Sequence, residues 1–245
     1  MFKKLVIISI FLSIIGCDNK KSQELRLGIS ADYPPFTFQA NEHFTGFDVE
    51  LAQEIAKELN LKLVIKDMDF ASLIPALKSN KIDMIMSGLT MTPERASNVD
   101  FSEPYYVPSF AVVYLKTSHD IMNIHDLIGK TIGTQMGSTM AIYLETEAKT
   151  LGDLNVVLLN KNNQLIQELV LGRIDGVLIE HAQAKAFAGS NERLEYQSFD
   201  AESQGYAAAF KKYSPFREKF NQALNKLKSE QVIEKLEKKW LDTNE

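Results

Sequence analysis

The sequence contains few of the residues that cross-link a chain or hold a metal. It has one cysteine, which excludes an internal disulfide, and four histidines. The histidines, His43, His119, His125 and His181, lack the paired spacing of a zinc site. A Walker-type phosphate loop and a serine or cysteine nucleophile motif are also missing. We therefore expect no metal, no cofactor and no enzymatic activity of these kinds.

Positive charge is scarce as well. The chain has 27 lysines and arginines against 32 aspartates and glutamates, which gives a net charge of −5. Removal of Lys3 and Lys4 with the leader predicted below would make the net charge −7. An acidic surface is unsuited to the phosphate backbone, so we expect no nucleic-acid partner. With 45% apolar and 24% charged residues, the 245-residue chain has the composition of a soluble globular protein.

An apolar run at residues 5–15 is too short to cross a bilayer as a helix. Lys3 and Lys4 precede this run, and a basic segment followed by a short apolar one is typical of a signal peptide. We therefore predict that residues 1–16 are a leader that is removed and form no part of the fold.

The leader ends at the segment Ile14-Ile15-Gly16-Cys17. This segment resembles the lipobox of bacterial lipoproteins, with Ile14 where leucine is usual, and cleavage there would leave Cys17 as a lipid-modified terminus. Residues 17–24 are polar and predict a flexible tether between lipid and domain. We expect an extracytoplasmic, periplasmic protein that is lipid-anchored to a membrane.

Strand patterns and helix patterns alternate along the rest of the chain. Strands are predicted at residues 25–29, 61–65, 82–86, 110–115, 131–135, 156–159, 174–179 and 206–210. Helices are predicted from Asp48, at 72–78, after the cap Thr92, from Ser138, after the cap Asn162 to Gly172, from Ser214, and at 232–240. The alternation predicts open α/β sheets with helices on both faces.

Eight sequence blocks follow one another in a characteristic order. They are ADYPPF (31–36), GFDVELA (46–52), DFASLIPAL (69–77), SGLTMTPER (87–95), VDFSEPYY (99–106), GST (137–139), GRIDG (172–176) and KW (239–240). In order and spacing the chain resembles the amino-acid-binding family of bacterial extracellular solute-binding proteins, family 3, from about Leu25 to Trp240.

This resemblance implies a two-lobed periplasmic-binding-protein fold of type II, in which each lobe is a mixed sheet flanked by helices. Lobe 1 would comprise residues 25–104 and 207–245, and lobe 2 would comprise residues 110–201. Two hinge crossovers would lie at residues 105–109 and 202–206. Ligand would close the hinge.

The resemblance also implies the function. We expect a monomeric substrate-binding receptor that delivers a free polar L-amino acid to the permease subunits of an ABC importer, and not an enzyme. A basic side chain is the first expectation, with arginine or lysine ahead of glutamine.

Five residues are expected to hold the α-groups of the ligand. In the family, an arginine at the position of Arg95 grips the α-carboxylate, and Thr139 adds donors at a helix start. An acid at the position of Glu180, more often aspartate in the family, pairs with the α-ammonium. Gly88 and Thr90 would add a backbone carbonyl and a hydroxyl to the same ammonium.

The side chain of the ligand is expected to lie between two aromatic residues. In the family, aromatic residues at the positions of Tyr33 and Phe70 commonly line the pocket, and their faces can stack on a cation. Ser87, beside Gly88, is also predicted to contact the ligand.

The residues that select the ligand side chain are less evident. Gln135 occupies a position that varies with ligand in the family. Some receptors for basic or amide amino acids carry an aspartate where this chain has Ser30. Asp32 is acidic, but we expect it to point outward from its loop.

Two other functions fit the same scaffold. Cyclohexadienyl dehydratases resemble these receptors and use a cleft acid, a role open to Glu180 or Asp32 here. Ligand-sensing domains also share the fold, although they are normally fused to transmembrane and signalling segments. An arginine and an acid placed for the two α-groups favour the receptor.

Overall fold

The computed structural model describes residues 23–118, 121–199 and 204–241. The predicted signal peptide, Cys17 and most of the tether lie outside the described residues, as does part of the second predicted hinge crossover. Among the described residues, no helix is both long and apolar enough to cross a membrane.

The described residues form 13 strands and eight α-helices. The strands are β1 (Glu24–Ile29), β2 (Asp32–Tyr33), β3 (Thr37–Ala40), β4 (His43–Thr45), β5 (Lys62–Asp67), β6 (Met84–Ile85), β7 (Val99–Phe101), β8 (Phe110–Leu115), β9 (Thr131–Gln135), β10 (Asn155–Leu159), β11 (Gly176–Glu180), β12 (Leu194–Phe199) and β13 (Ala209–Lys211). The helices are α1 (Phe47–Glu58), α2 (Leu73–Lys78), α3 (Pro93–Asn98), α4 (Thr139–Leu151), α5 (Asn162–Val170), α6 (His181–Ser190), α7 (Phe216–Ser229) and α8 (Val232–Trp240).

Two five-stranded mixed sheets share one topology. The first has the order β5-β1-β6-β13-β7 and the second the order β10-β9-β11-β8-β12. In each sheet the first three strands run parallel, and the last two pair antiparallel with their neighbours. A small antiparallel sheet of β2, β3 and β4 accompanies them. The predicted mixed sheets flanked by helices are confirmed.

The second sheet is covered on both faces, as its inner strand β8 shows. All of β8 except its last residue is buried. Phe110, Val112 and Tyr114 pack into one hydrophobic cluster, and Ala111 and Val113 pack into another. Because successive strand residues point to opposite faces, an unbroken apolar run builds two cores at once.

The main elements lie where the sequence predicts them, with shifts at their ends. Thr92 caps α3 as expected, since its side chain accepts a hydrogen bond from the Arg95 backbone. The prediction that Asn162 caps α5 is wrong, because Lys161 occupies the cap position and Asn162 begins the helix. Short strands such as β2 and β7 and the helix α6 have patterns too brief or too mixed to be predicted.

The chain passes between the two sheets along neighbouring segments. One segment follows β7 and the other precedes β13, and they meet where Tyr206 forms an antiparallel bridge with Tyr106. The Tyr206 N–H donates to the Tyr106 carbonyl at 2.7 Å, and the Tyr105 N–H donates to the Tyr206 carbonyl at 2.9 Å. The exact lobe and hinge boundaries stay a prediction.

Candidate ligand-binding site

A small cavity lies between the two sheets. Its lining comes from both sides of the molecule: Tyr33, Phe70, Gly88, Thr90, Arg95 and Tyr206 from segments around the first sheet, and Thr134, Gln135, Ser138, Thr139, Met140, Asn162, Leu178 and Ile179 from the second.

Arg95 projects into this cavity from the first turn of α3. Its Nη1 donates to the Thr90 carbonyl and its Nη2 to the Gly137 carbonyl, both at 2.8 Å. The bond to Gly137 joins Arg95, which lies beside the first sheet, to the segment that follows β9 of the second sheet. The guanidinium also lies over the Phe70 ring, 5.5 Å from its centroid. These contacts fix the guanidinium plane at the wall of the cavity.

The charge on Arg95 has no neutralising carboxylate in the described part of the chain. The residue is only 9% exposed, and burial lowers the pKa of its guanidinium to about 10, so it stays charged at neutral pH. Among the described residues, no carboxylate forms an ion pair with it. A buried cation that has only carbonyl partners favours an anion as its ligand.

The start of α4 faces the same part of the cavity. Ser138 caps this helix by accepting a hydrogen bond from the Ala141 N–H at 3.1 Å, and Thr139 is the first helical residue. Both residues line the cavity. A helix N-terminus carries free N–H groups and a positive dipole end, which also favour an anion. We call this region, with Arg95, Ser138 and Thr139, the Arg95 end.

The other polar part of the site is organised by Asp32, which is 4% exposed. Its Oδ2 accepts from the Asn162 backbone N–H at 2.6 Å and lies 3.4 Å from the Gln135 side-chain nitrogen. Ser30 donates to its Oδ1 at 2.6 Å, and the Lys161 ammonium lies 3.9 Å from that oxygen. The prediction that Asp32 points outward is therefore wrong, because donors from three segments draw the carboxylate inward.

Asn162 lines the cavity at this place and is fully buried. Neither its Oδ1 nor its Nδ2 has a hydrogen-bond partner among the residues that the structure describes. Buried amides without partners are rare because leaving them unpaired costs free energy. We call the region of Asp32, Gln135 and Asn162 the Asp32 end.

Aromatic rings form another wall of the cavity. Tyr33 and Phe70 line it, as the sequence predicts. The hydroxyl groups of Tyr33 and Tyr206 lie 2.7 Å apart, and the Tyr206 ring packs against Tyr106 and Phe36 with centroids 5.5 Å and 5.4 Å away. This interlocked cluster holds the Tyr33 ring in place beside the ligand space.

Gly88 lies where the backbone must turn close to Tyr33. Its φ angle is +59°, and a Cβ atom there would come within 2.7 Å of the Tyr33 ring. The Gly88 N–H donates to Asp48 at 2.7 Å, and the Tyr105 hydroxyl donates to the same carboxylate oxygen at 3.0 Å. Burial raises the pKa of Asp48 to about 6. Glycine is required here both by conformation and by space.

Glu180 lies at the end of β11, one residue after the cavity-lining Ile179, but is not itself part of the lining. It is fully buried, and burial raises the pKa of its carboxyl to about 7. Its oxygens accept from the Tyr106 hydroxyl at 2.9 Å and from the Gln183 N–H at 3.1 Å. The carboxyl therefore joins the second sheet to the crossing segment, and its pairing with an ammonium stays a prediction.

Most of the predicted site residues are brought together. Seven line the cavity: Tyr33, Phe70, Gly88, Thr90, Arg95, Gln135 and Thr139. Ser87 does not line it, and its hydroxyl accepts from the Ser30 N–H at 2.9 Å beside the first sheet.

The sequence analysis missed seven lining residues: Thr134, Ser138, Met140, Asn162, Leu178, Ile179 and Tyr206. Several of them lie at strand ends or helix starts, a position that could have identified them. No group of three histidine, cysteine, aspartate or glutamate residues in the described part of the chain could hold a metal ion.

Paired mixed sheets with a polar cavity between them define a two-lobed binding protein. The chain belongs to the bacterial extracellular solute-binding proteins, family 3, whose model matches residues 25–243. Its predicted family and fold are thus confirmed, and the protein acts outside the cytoplasm.

Relatives and solved structures match along nearly the whole chain. The arginine-binding extracellular protein ArtP of Bacillus subtilis is 39% identical over 243 residues, covering 95% of this chain and 93% of that protein. The ABC transporter arginine-binding protein 1 of Escherichia coli is 30% identical over 246 residues, covering 97% and 98%.

An ancestral arginine-binding protein has been solved with two ligands. The arginine-bound structure superposes with a TM-score of 0.85 at 37% identity, and covers 89% of this chain and 97% of that one. The glutamine-bound structure gives a TM-score of 0.83 at 36% identity, with the same coverage.

Proposed function

We propose that this chain is the arginine receptor of an ABC importer, held outside the cytoplasm by a lipid on Cys17. Its membership in a solute-binding family makes it a binding protein and not an enzyme. The relatives reported above are named for arginine binding and, in one case, for an ABC transporter. Transfer of that ligand and that partner to this chain is the proposal.

The observation that carries the proposal is the buried Arg95 guanidinium at the cavity wall. It is held at fixed geometry by two carbonyls, and no described carboxylate neutralises it. A ligand carboxylate would supply the missing charge in bidentate fashion, and the N-terminus of α4 would support it. Every free amino acid offers such a group.

The α-ammonium of the ligand would be met by oxygen atoms near the aromatic wall. We assign it to the Gly88 carbonyl, the Thr90 hydroxyl and the Glu180 carboxylate. Glu180 would exchange its present bond to Tyr106 for the ammonium or share its two oxygens between them. In its charged form it would complete an arrangement of one cation and one anion for the two α-groups.

Charge at the Asp32 end supports a basic side chain. The carboxylates of Asp32 and Asp69 both lie near Lys161, at 3.9 Å and 3.4 Å from its ammonium. Two negative groups against one positive group leave this end acidic. Tyr33 and Phe70 present faces on which a guanidinium can stack. Arginine is therefore placed first, lysine second and glutamine next.

Blocked ligands test the assignment of the α-groups. L-arginine should bind, while N-acetyl-L-arginine and L-argininamide should bind at least tenfold more weakly, because each leaves one buried charge of the protein unpaired. Calorimetric titration of the same protein preparation with the three compounds gives the comparison. Equal affinity for L-argininamide and L-arginine would remove the α-carboxylate from Arg95.

The lipid anchor rests on the segment that ends at Cys17, which lies outside the described residues. A Cys17→Ser change should release the protein from the membrane fraction, because thioether attachment needs the thiol. Fractionation of cells that express each form measures this, with Ser22→Ala as a control in the tether. Unchanged membrane association of the Cys17→Ser form would contradict the anchor.

Closure of the lobes is part of the proposal. Ligand would contact Arg95 from one side and Thr139 from the other, so it gains both contacts only in a closed form. With the hinge at residues 105–109 and 202–206, small-angle scattering should show a smaller radius of gyration with arginine than without. An unchanged radius at saturating arginine would contradict the hinge.

A further inference from the structure

Asn162 carries a side-chain amide to which none of the described residues offers a hydrogen bond. It is the first residue of α5, its side chain is fully buried, and it lines the cavity between the sheets. Both polar atoms of its amide lack a hydrogen bond to any described residue. In the same described part of the chain, the other buried side-chain atoms without partners, on Asp48 and Gln183, belong to residues that do not line the cavity.

The position of Asn162 is fixed from across the cleft. Its backbone N–H donates to the Asp32 carboxylate at 2.6 Å, and Gln135 lies against the same oxygen at 3.4 Å. The Gln135 nitrogen also donates to the Asn160 carbonyl at 3.1 Å, so neither neighbour is free to turn toward the Asn162 amide. The amide is thus held in place by its main chain while its side chain remains unused.

We propose that Asn162 recognises the side chain of the bound amino acid, an inference that rests on the function proposed above. Its Oδ1 accepts a hydrogen bond from a side-chain N–H of the ligand, and its Nδ2 donates to a side-chain carbonyl where the ligand has one. A guanidinium uses the first of these atoms and a carboxamide uses both. An aliphatic side chain uses neither and leaves the amide buried and unpaired.

Asp32 disfavours ligands whose side chain is negatively charged. A ligand carboxylate could accept from Nδ2, but it would lie beside the Asp32 carboxylate, and like charges at close range repel. Asp32 also ties Asn162 to the opposite side of the cleft. The recognising amide is therefore in place only when the two sides have come together, which couples side-chain selection to closure.

The test compares two ligands on two variants. L-arginine and L-norleucine share their α-groups and an unbranched stem, but norleucine has no side-chain hydrogen-bond donor. Asn162→Leu should weaken arginine binding by at least tenfold and leave norleucine binding unchanged or stronger, because the change removes the amide that norleucine would leave buried and unpaired. The matched control is Asn163→Leu, at the exposed neighbouring position, which should alter neither affinity.

Calorimetry on the full mature chain supplies the affinities, and thermal unfolding shows that each variant is folded. If Asn162→Leu does not fold, Asn162→Ala replaces it with the same expected change in the arginine-to-norleucine ratio. A purely structural role would weaken both ligands equally, and that result overturns the inference, as does unchanged arginine affinity. If the unaltered protein bound no free amino acid, the proposed function would be wrong. If it bound arginine but Asn162→Leu left the arginine-to-norleucine affinity ratio unchanged, only the role of Asn162 would be wrong.

Discussion

The two ends of the cavity are built in different ways. The Arg95 end is made from short local motifs: a capped helix start that carries Arg95, and the start of α4 with Ser138 and Thr139. The Asp32 end joins positions far apart in the sequence, since Asp32 meets Asn162 across 130 residues and Gln135 across 103. In the proposed function, the Arg95 end would bind the α-carboxylate that all amino acids share, and the Asp32 end would bind the side chain that distinguishes them.

From this difference we expect the Arg95 end to determine the affinity common to all ligands and the Asp32 end to determine selectivity among them. A fixed guanidinium and a helix N-terminus would bind any α-carboxylate, so changes there should weaken all ligands alike. Under the proposal, the unpaired Asn162 amide meets the variable side chain, and the Asp32 carboxylate behind it holds that amide in place. Changes there should alter the ranking of ligands more than their common affinity.

The largest effect is expected from Arg95→Ala. It leaves the ligand carboxylate without its main partner in a closed site, which should cost about 2–5 kcal/mol, or roughly 30- to 1,000-fold or more in affinity. Arginine, lysine and glutamine should all lose affinity by a similar factor. Titration calorimetry with the three ligands measures this.

The matched control for Arg95→Ala is Arg173→Ala. Arg173 forms a surface pair with Glu168 and has a side chain that is 64% exposed. The Arg173→Ala protein should bind all three ligands within about twofold of the unaltered protein, since exposed ion pairs contribute little. A loss of less than threefold in the Arg95→Ala protein would remove this arginine from the site.

Asp32→Asn should have a smaller effect that depends on the ligand. Loss of the charge weakens the cross-cleft bond to Asn162 and reduces the acidity near the ligand side chain. Hydrogen bonds to charged groups contribute about 1.5–3 kcal/mol, so arginine affinity should fall by roughly 10- to 100-fold. Glutamine affinity should fall less, because its side chain is neutral.

The control for Asp32 is Asp69→Asn. Asp69 also lies near Lys161, but its side chain is 42% exposed and water screens its charge. Its effect on arginine binding should be several times smaller. Equal losses for arginine and glutamine in the Asp32→Asn protein would show that Asp32 supports closure without selecting the side chain.

The change of arginine affinity with pH should be smaller than the effect of either Arg95→Ala or Asp32→Asn. Burial raises the pKa of Glu180 to about 7, so in the free protein the carboxyl is mostly neutral at pH 6 and mostly ionised at pH 8. An ammonium ligand favours the ionised form and lowers this pKa in the complex. Affinity should therefore rise between pH 6 and pH 8, by up to about tenfold, as the proton is no longer displaced on binding.

The Glu180→Gln protein separates this effect from other titrating groups. It should bind arginine weakly, and its affinity should be nearly flat over the same pH range. Titrations at a series of pH values, in buffers with different ionisation enthalpies, would also count the released protons. A flat profile in the unaltered protein would mean that Glu180 does not pair with the ammonium and serves only to hold Tyr106.

The contrast between the two ends also explains what could be predicted from the sequence. Alternating strand and helix patterns and the sequence blocks predicted the mixed sheets, the cap at Thr92 and the place of Arg95. Those signals are local, or are carried by motifs of a few residues. The observed strand ends differ from the predicted ones where a strand is only two or three residues long, as in β6 and β13.

The Asp32 end could not be predicted in the same way. Asp32 was expected on the outside, and Asn162 was expected to be a helix cap. Their roles depend on the contact between the tip of β2 and the start of α5, which no short pattern encodes. Glu180 is placed beside the cavity by its strand, but its bond to Tyr106 follows from the way the crossing segment packs.

The most direct test of the whole account is a thermal-shift ranking of the purified mature protein with the common L-amino acids. A ligand that binds only the native state stabilises it by about 2.7 kcal/mol at a hundred times its Kd, which in a chain of this size corresponds to roughly 5–10 °C. We predict the largest rise in Tm with arginine, smaller rises with lysine and then glutamine, and little with leucine. A largest rise with leucine, or none with any amino acid, would contradict it.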